Sequence, residues 1–388
     1  MSAIILKGIT WAHSRGITPL LAVSQRFSEL NPGVEIQWEK RSLQEFADFP
    51  IEKLTTIYDL LIIDHPWVGC AAATNCVLPL NEYLSAAYLA DQLSNSVGYS
   101  HLSYYYNNKQ WALAVDAATP VASYRKDLLQ MHNVAVPETW EDVLALAKLG
   151  KVAVPAIPID LLMYFYTFCI GHGKEPFRNE QEIIDKETGT NAIETMKELY
   201  SLIDKSMYNR NPIAVAELMT STNDYWYCPF AYGYSNYSRK GYANATIQYT
   251  DVVTFNKKKL QTTIGGTGLA VSAFSKHPEL AVNFAAMVAS GECQRTMYVQ
   301  NGGQPGHRAA WLDETANQLT NSFFTNTLPV MDNGFVRPRY NGYLHFQDNA
   351  GAPLQHCIMN DTNPGQALAE MNLIYKSSIK EIHSNALV

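Results

Sequence analysis

A chain of 388 residues exceeds the size at which one hydrophobic core usually keeps growing, so two lobes or domains are expected. The net charge is −7 and no stripe of clustered Lys and Arg is present, which argues against a nucleic-acid binder, since neutralising phosphates needs such clusters. No apolar run approaches the roughly 20 residues of a membrane-spanning helix.

Residues 4–11 (IILKGITW) read as a strand and 12–19 (AHSRGITP) as the loop after it. Residues 20–30 carry Leu20, Leu21, Val23, Phe27 and Leu30 at helical spacing, and Asn31-Pro32-Gly33 stops that helix. A second strand over 34–38 runs into Glu39-Lys40-Arg41. Residues 58–63 (YDLLII) form a continuous apolar run suited to a buried parallel strand, closed by Asp64-His65-Pro66. This alternation predicts a doubly wound α/β sheet.

Residues 109–129 (KQWALAVDAATPVASYRKDLL) hold two short strand-like runs, 111–115 and 121–124, joined by Asp116, small residues and Pro120. That pattern suits a crossover between two bodies better than the middle of one. Helices are expected over 139–149, where Thr139 is the N-cap, and over 160–169, 192–203 and 278–289. Residues 225–242 (YWYCPFAYGYSNYSRKGY) are unusually aromatic. A Gly-rich turn, Gly265-Gly266-Thr267-Gly268, runs into a strand, and residues 301–307 (NGGQPGH) form another turn-rich loop. The C-terminal part reads as helical, interrupted at 336–343 (VRPRYNGY) and ending in a helix over 364–379.

The six cysteines, Cys70, Cys76, Cys169, Cys228, Cys293 and Cys357, show no CxxC pair and no zinc-like spacing. They read as reduced, buried thiols, a mild pointer to a reducing compartment. Met1 leads straight into the first strand with no signal peptide, so either a leader has been removed or the protein stays in the cytoplasm.

In a doubly wound sheet, ligands bind beyond the carboxyl ends of the strands. His13 and Arg15, Arg41, and Asp64 and His65 fall at those ends, with Asp116 in the crossover. Arg15 suits a bidentate contact to a carboxylate or phosphate, and Asp64 and Asp116 suit pairs of sugar hydroxyls. Trp226, Tyr227, Tyr232 and Tyr234 offer flat apolar faces with polar rims for a sugar ring. Gly266 and Thr267 bring backbone N–H groups close to a ligand, though GGxG without a following Lys is no phosphate loop. Arg339, with Arg337 and Tyr340, is placed to close over the site from the second lobe. Read blandly, the rings pack a core and Arg15 pairs with Asp64 or caps a helix. The two His and two Asp match no local metal motif, and no cofactor is expected.

The order of these landmarks resembles the solute-binding proteins of ABC importers, the extracellular solute-binding protein family 1 of sugar type. The matching pieces are residues 27–34 (FSELNPGV), the Asp-ending strand 58–64, Leu78-Pro79-Leu80-Asn81, and the hinge ending in Tyr124-Arg125-Lys126-Asp127-Leu128-Leu129. Further on come Pro137-Glu138-Thr139-Trp140-Glu141-Asp142, the return segment 265–272, the helix 278–292 and Gly302-Gly303-Gln304-Pro305. The resemblance implies two α/β lobes joined by crossover segments, the two-lobed periplasmic-binding-protein type II fold, with discontinuous hinge-linked lobes and a ligand cleft between them. Lobe 1 is expected over residues 1–114 plus 268–311, and lobe 2 over 116–264 plus 312–388. The implied function is noncovalent binding of a small polar solute (a sugar, polyol or small organic acid) with hinge closure. The implied partner is a membrane permease, met by a monomer in the periplasm or outside the cell. The chain departs from the family in showing no export leader and no N-terminal lipid-anchor cysteine. Because enzymes share the fold, the alternative is a cytoplasmic lyase, decarboxylase or isomerase using His13, Asp64, His65 or Asp116 as acid and base on a small organic acid.

Overall fold

The computed structural model describes residues 3–42 and 51–385. In chain order its principal strands are β1 (Ile4–Trp11), β2 (Val34–Arg41), β3 (Leu60–Ile63), β4 (Leu113–Ala118), β5 (Pro120–Tyr124), β6 (Tyr227–Tyr232), β7 (Gln248–Thr250) and β8 (Gly265–Val271). Its principal helices are α1 (Ser14–Leu30), α2 (Trp140–Lys148), α3 (Pro158–Gly171), α4 (Lys186–Tyr200), α5 (Pro278–Ala289), α6 (Tyr343–Met359) and α7 (Pro364–Asn385).

The chain divides into two units. The first comprises Met1–Ala118, Ile264–Asp332 and Arg339–Asn341. It is built on a five-stranded sheet of order β2-β1-β3-β8-β4, in which β1 runs parallel to β2 and β3, and β8 is antiparallel to both its neighbours. Every residue of β3 is buried, and alternation sends successive side chains to opposite faces. Leu60 and Ile62 join a core with Leu6, Val23, Phe27 and Phe284, whereas Leu61 and Ile63 join Ile9, Val68, Ala71 and Trp111 on the other side. A strand covered on both faces has no reason to alternate polar and apolar residues, hence the unbroken apolar run.

The second unit comprises Thr119–Thr263, Asn333–Pro338 and Gly342–Val388. Its sheet has three antiparallel strands, β6-β5-β7. Its bulk is helical. α3 lies against α4 and α6, and α6 against α7. The approach of α6 to α3 is so close that a Cβ on Gly351 would meet the Pro158 carbonyl oxygen at 2.3 Å. α2 opens with a capping box: the Thr139 hydroxyl accepts from Asp142 N, and the Asp142 carboxylate accepts from Thr139 N.

Two expectations are corrected. Residues 312–332, read as part of lobe 2, belong to the first unit. Gly98 N donates to Asp332 Oδ1 at 3.2 Å, Arg308 pairs with Asp332, and Trp311 packs on Phe324 with centroids 5.2 Å apart. The loop expected at 12–19 is largely helix, because α1 starts at Ser14. The His13 imidazole caps it, and Pro19 sits inside the helix, giving up one backbone hydrogen bond without ending it.

Candidate functional site

The strand register of the first unit sets the tips level. β1 pairs Ile9 with Leu61, β3 pairs Ile63 with Gly268, and β8 pairs Thr267 with Asp116. His13 follows the end of β1, Asp64 the end of β3, and Asp116 lies across from Thr267, so these residues share one end of the sheet. Within this group the tightest link is an ion pair. Arg15 Nε donates to Asp116 Oδ2 at 2.8 Å, and Nη2 donates to Oδ1. Both residues are buried, at 3% and 1% exposure. Burial pushes the Asp116 carboxyl up from its ordinary value, and the guanidinium pulls it part of the way back. Arg15 and Asp116 therefore engage each other across the site, rather than Arg15 engaging Asp64.

His13 Nδ1 accepts from Arg15 N at 3.0 Å, capping α1. Burial, reinforced by the adjacent Arg15 charge, lowers its pKa to about 4, so the ring is neutral at physiological pH. Gly266 has φ +92, and a Cβ there would meet the Asp116 carbonyl oxygen at 2.3 Å. Only glycine lets β8 pass so close to β4. The Thr267 hydroxyl beside it is buried and has no hydrogen-bond partner among the described residues. Asp64 caps the short helix His65–Trp67, its Oδ1 accepting from His65 N at 2.8 Å. His65 itself is fully buried, edge-on to Tyr104. Arg41, half-buried at the end of β2, accepts from Ala12 N through its carbonyl.

Arg339 is not an arm reaching over from the second unit. It belongs to the first, where Nη1 donates to the carbonyls of Leu102 and Tyr105, both at 2.7 Å, and its guanidinium lies over the Tyr106 ring. Leu102 lies within the short helix Ser100–Ser103 and Tyr105 just beyond it, so the arginine caps the C-terminal end of that helix.

In the second unit the four aromatic candidates separate. Trp226 is buried against its own unit: His132 stacks on it at 4.3 Å, the Lys151 ammonium lies 4.9 Å from the ring centroid, and the indole N–H donates to Asn223 O. Tyr227 is fully buried, and its hydroxyl lacks a partner among the described residues. Tyr232 ends β6 half-buried, and Tyr234 is buried with its ring edge-on to Tyr237.

Sequence reasoning missed the most unusual polar group of this unit. Asp160 lies in the first turn of α3, 3% exposed, and its Oδ2 has no hydrogen-bond partner among the described residues. Burial raises its pKa well above the ordinary carboxylate range and so favours the protonated form. Tyr164, one helical turn on, is also buried with an unpartnered hydroxyl among the described residues, and its ring packs on Phe230 at 4.4 Å. Burial, and then the Asp160 charge, push the Tyr164 and Tyr200 hydroxyls well up. Asn236 Oδ1 is a further unpartnered buried acceptor among the described residues. The signal was present in α3: a lone acid with Tyr four residues on, in a helix otherwise without a polar face.

Buried polar groups without protein partners cost about 1–3 kcal/mol each and call for water or a ligand. Asp160, Tyr164 and Asn236 of the second unit are such groups, and the Tyr164 ring packs on Phe230. They suit a ligand rich in hydroxyl groups. Among the described residues no group of three or more His, Cys, Asp or Glu is placed to hold a metal ion.

Comparison with known proteins gives the same direction. The family model described as bacterial extracellular solute-binding protein matches residues 16–294. Among solved structures, a maltose-bound MalE3 from T. maritima has a TM-score of 0.84 at 15% identity, covering 96% of this chain and 99% of the other. A solute-binding protein of an ABC transporter from Agrobacterium radiobacter K84, in complex with ribitol, has a TM-score of 0.80 at 18% identity, covering 97% and 99%. The Thermus thermophilus maltotriose-binding protein with maltotriose has a TM-score of 0.78 at 19% identity, covering 97% and 100%.

Proposed function

The chain belongs to the bacterial extracellular solute-binding protein family, and from that premise we propose that it binds a sugar, polyol or small organic acid noncovalently and releases it unchanged. The observation that carries the reading is the Asp160–Tyr164 pair, buried polar groups beside aromatic rings that find no partner among the described residues. Hydroxyls of a solute would satisfy them, while the rings cover its C–H faces. The ligands named for the similar folds, maltose, ribitol and maltotriose, support the same chemistry.

Binding goes with hinge closure, the contacts made only in the closed state favouring that state. A permease of an ABC importer is the partner that reads this closed state, outside the cytoplasm, with the binding protein acting as a monomer. Acid–base catalysis has less behind it. Arg15 engages both oxygens of Asp116, and the His13 lone pair is held by a helix N–H. Thermal melting against maltose, maltotriose, ribitol and small organic acids tests the proposal. At least one should raise the melting temperature with saturation, and Tyr164→Phe should weaken that ligand about tenfold or less, as for loss of one hydrogen bond. A protein that melts identically with every member of the panel contradicts it.

A further inference from the structure

The Asp160 carboxyl stands apart from the other buried charged groups of the chain. Asp116 has Arg15, and Arg125 donates to Asp127 at 2.9 Å and to the Met219 and Thr222 carbonyls. The ionisable groups that feel Asp160 are Tyr164 on its own helix, Tyr200 on α4 and Cys228 on β6. All three are held neutral by burial, and none is a cation. Neither a salt bridge nor a hydrogen bond to Asp160 occurs among the described residues.

A carboxyl in such a place can meet a solute hydroxyl, but at an added cost. Asn or Gln would offer the same acceptor without the penalty of an ionisable group far from water. A carboxyl is the better choice when its counter-charge arrives with the ligand. The surroundings match that use: Tyr164, one helical turn from Asp160, packs its ring on Phe230 with centroids 4.4 Å apart. Aromatic faces around a carboxylate hold a desolvated ammonium through the ring quadrupole, worth about 2 kcal/mol or more when water is excluded. The net charge of −7 draws cations towards the molecule as well.

We propose that the solute carries a protonated amino group, as an amino sugar or amino polyol does, and that Asp160 pairs with it beside the Tyr164–Phe230 ring pair. The proposal rests on the solute-binding reading and specifies its ligand class. On binding, Asp160 gives up its proton to solvent and the ammonium replaces it; no covalent bond forms.

The test uses the full chain and matched ligand pairs that differ by amine for hydroxyl: the glucosamine dimer from chitosan against cellobiose, glucosamine against glucose, and glucamine against sorbitol. Titration calorimetry should give at least tenfold tighter binding for the amine of a pair. Asp160→Asn should abolish that preference, and Asp160→Glu should keep part of it. Melting of the free variants checks that they fold, and if Asp160→Asn does not, Asp160→Ser takes its place. Equal or tighter binding of the neutral member, or a preference that survives loss of the carboxyl, overturns the proposal. So does binding of maltose or ribitol with none of the amines, which leaves the solute-binding reading standing. Silence from every ligand, neutral ones included, removes that reading and this proposal together.

Discussion

Replacing Arg15 by Met removes the counter-charge of a carboxylate that is 1% exposed. Breaking a buried pair from one side costs about 3–5 kcal/mol, because the remaining charge stays buried, while removing both partners costs much less. Urea denaturation should therefore show Arg15→Met far less stable than the double variant Arg15→Met/Asp116→Leu; equal losses would mean that the pair is not the unit described here. Asp160 gives the opposite kind of dependence. Its pKa is raised in the folded chain, so the native state binds more protons than the unfolded one above about pH 4, the ordinary carboxylate value. The stability this provides is present below that pH and is lost as pH rises, at about 1.4 kcal/mol per pH unit across the window. Asp160→Asn lacks this loss, so its melting temperature should gain on the wild type between pH 4 and pH 8. A constant difference over that range contradicts the raised pKa. Arg15 and Asp116 stood out in the sequence as candidate site residues but not as each other's partner, because the pairing joins residues 101 apart through the order of the sheet strands.

At the scale of elements, β8 is the piece whose local sequence and tertiary role most constrain each other. Gly266 needs both a left-handed backbone, φ +92, and the absence of a Cβ against β4, whereas Gly33, at φ +90, has nothing within 4 Å of a would-be Cβ. Gly33→Ala should cost about 1 kcal/mol, the conformational part alone. Gly266→Ala adds the backbone clash and should cost about 2–4 kcal/mol while also weakening ligand binding. Comparable denaturation midpoints for the two variants would show that β8 can move away from β4 cheaply. Strand β3 and helix α2 were readable from the sequence because burial on two faces and a capping box leave local signatures. The start of α1 was not, since Pro19 reads as a break, although the His13 cap and the core contacts of Leu20 and Val23 outweigh one missing hydrogen bond. Arg339 was also misplaced: a Pro-broken loop says nothing of which unit it returns to, and three carbonyls near residue 103 decide it.

For the whole molecule, the chain passes between its two units at 118/119 and 263/264, near the two short strands with a proline and the Gly-rich return of the sequence. The later return of residues 339–341 to the first unit had no sequence signal, because it depends on contacts with elements more than two hundred residues away. Family membership then supports the solute-binding role expected from the order of the sequence landmarks. The most direct test of that role is titration calorimetry of the full chain with the ligand that most raises its melting temperature, followed by chromatographic recovery of that ligand. The account predicts saturable binding at about one ligand per chain and complete recovery of the ligand unchanged after prolonged incubation. Conversion of the ligand into a product, or heat that never saturates, would contradict it.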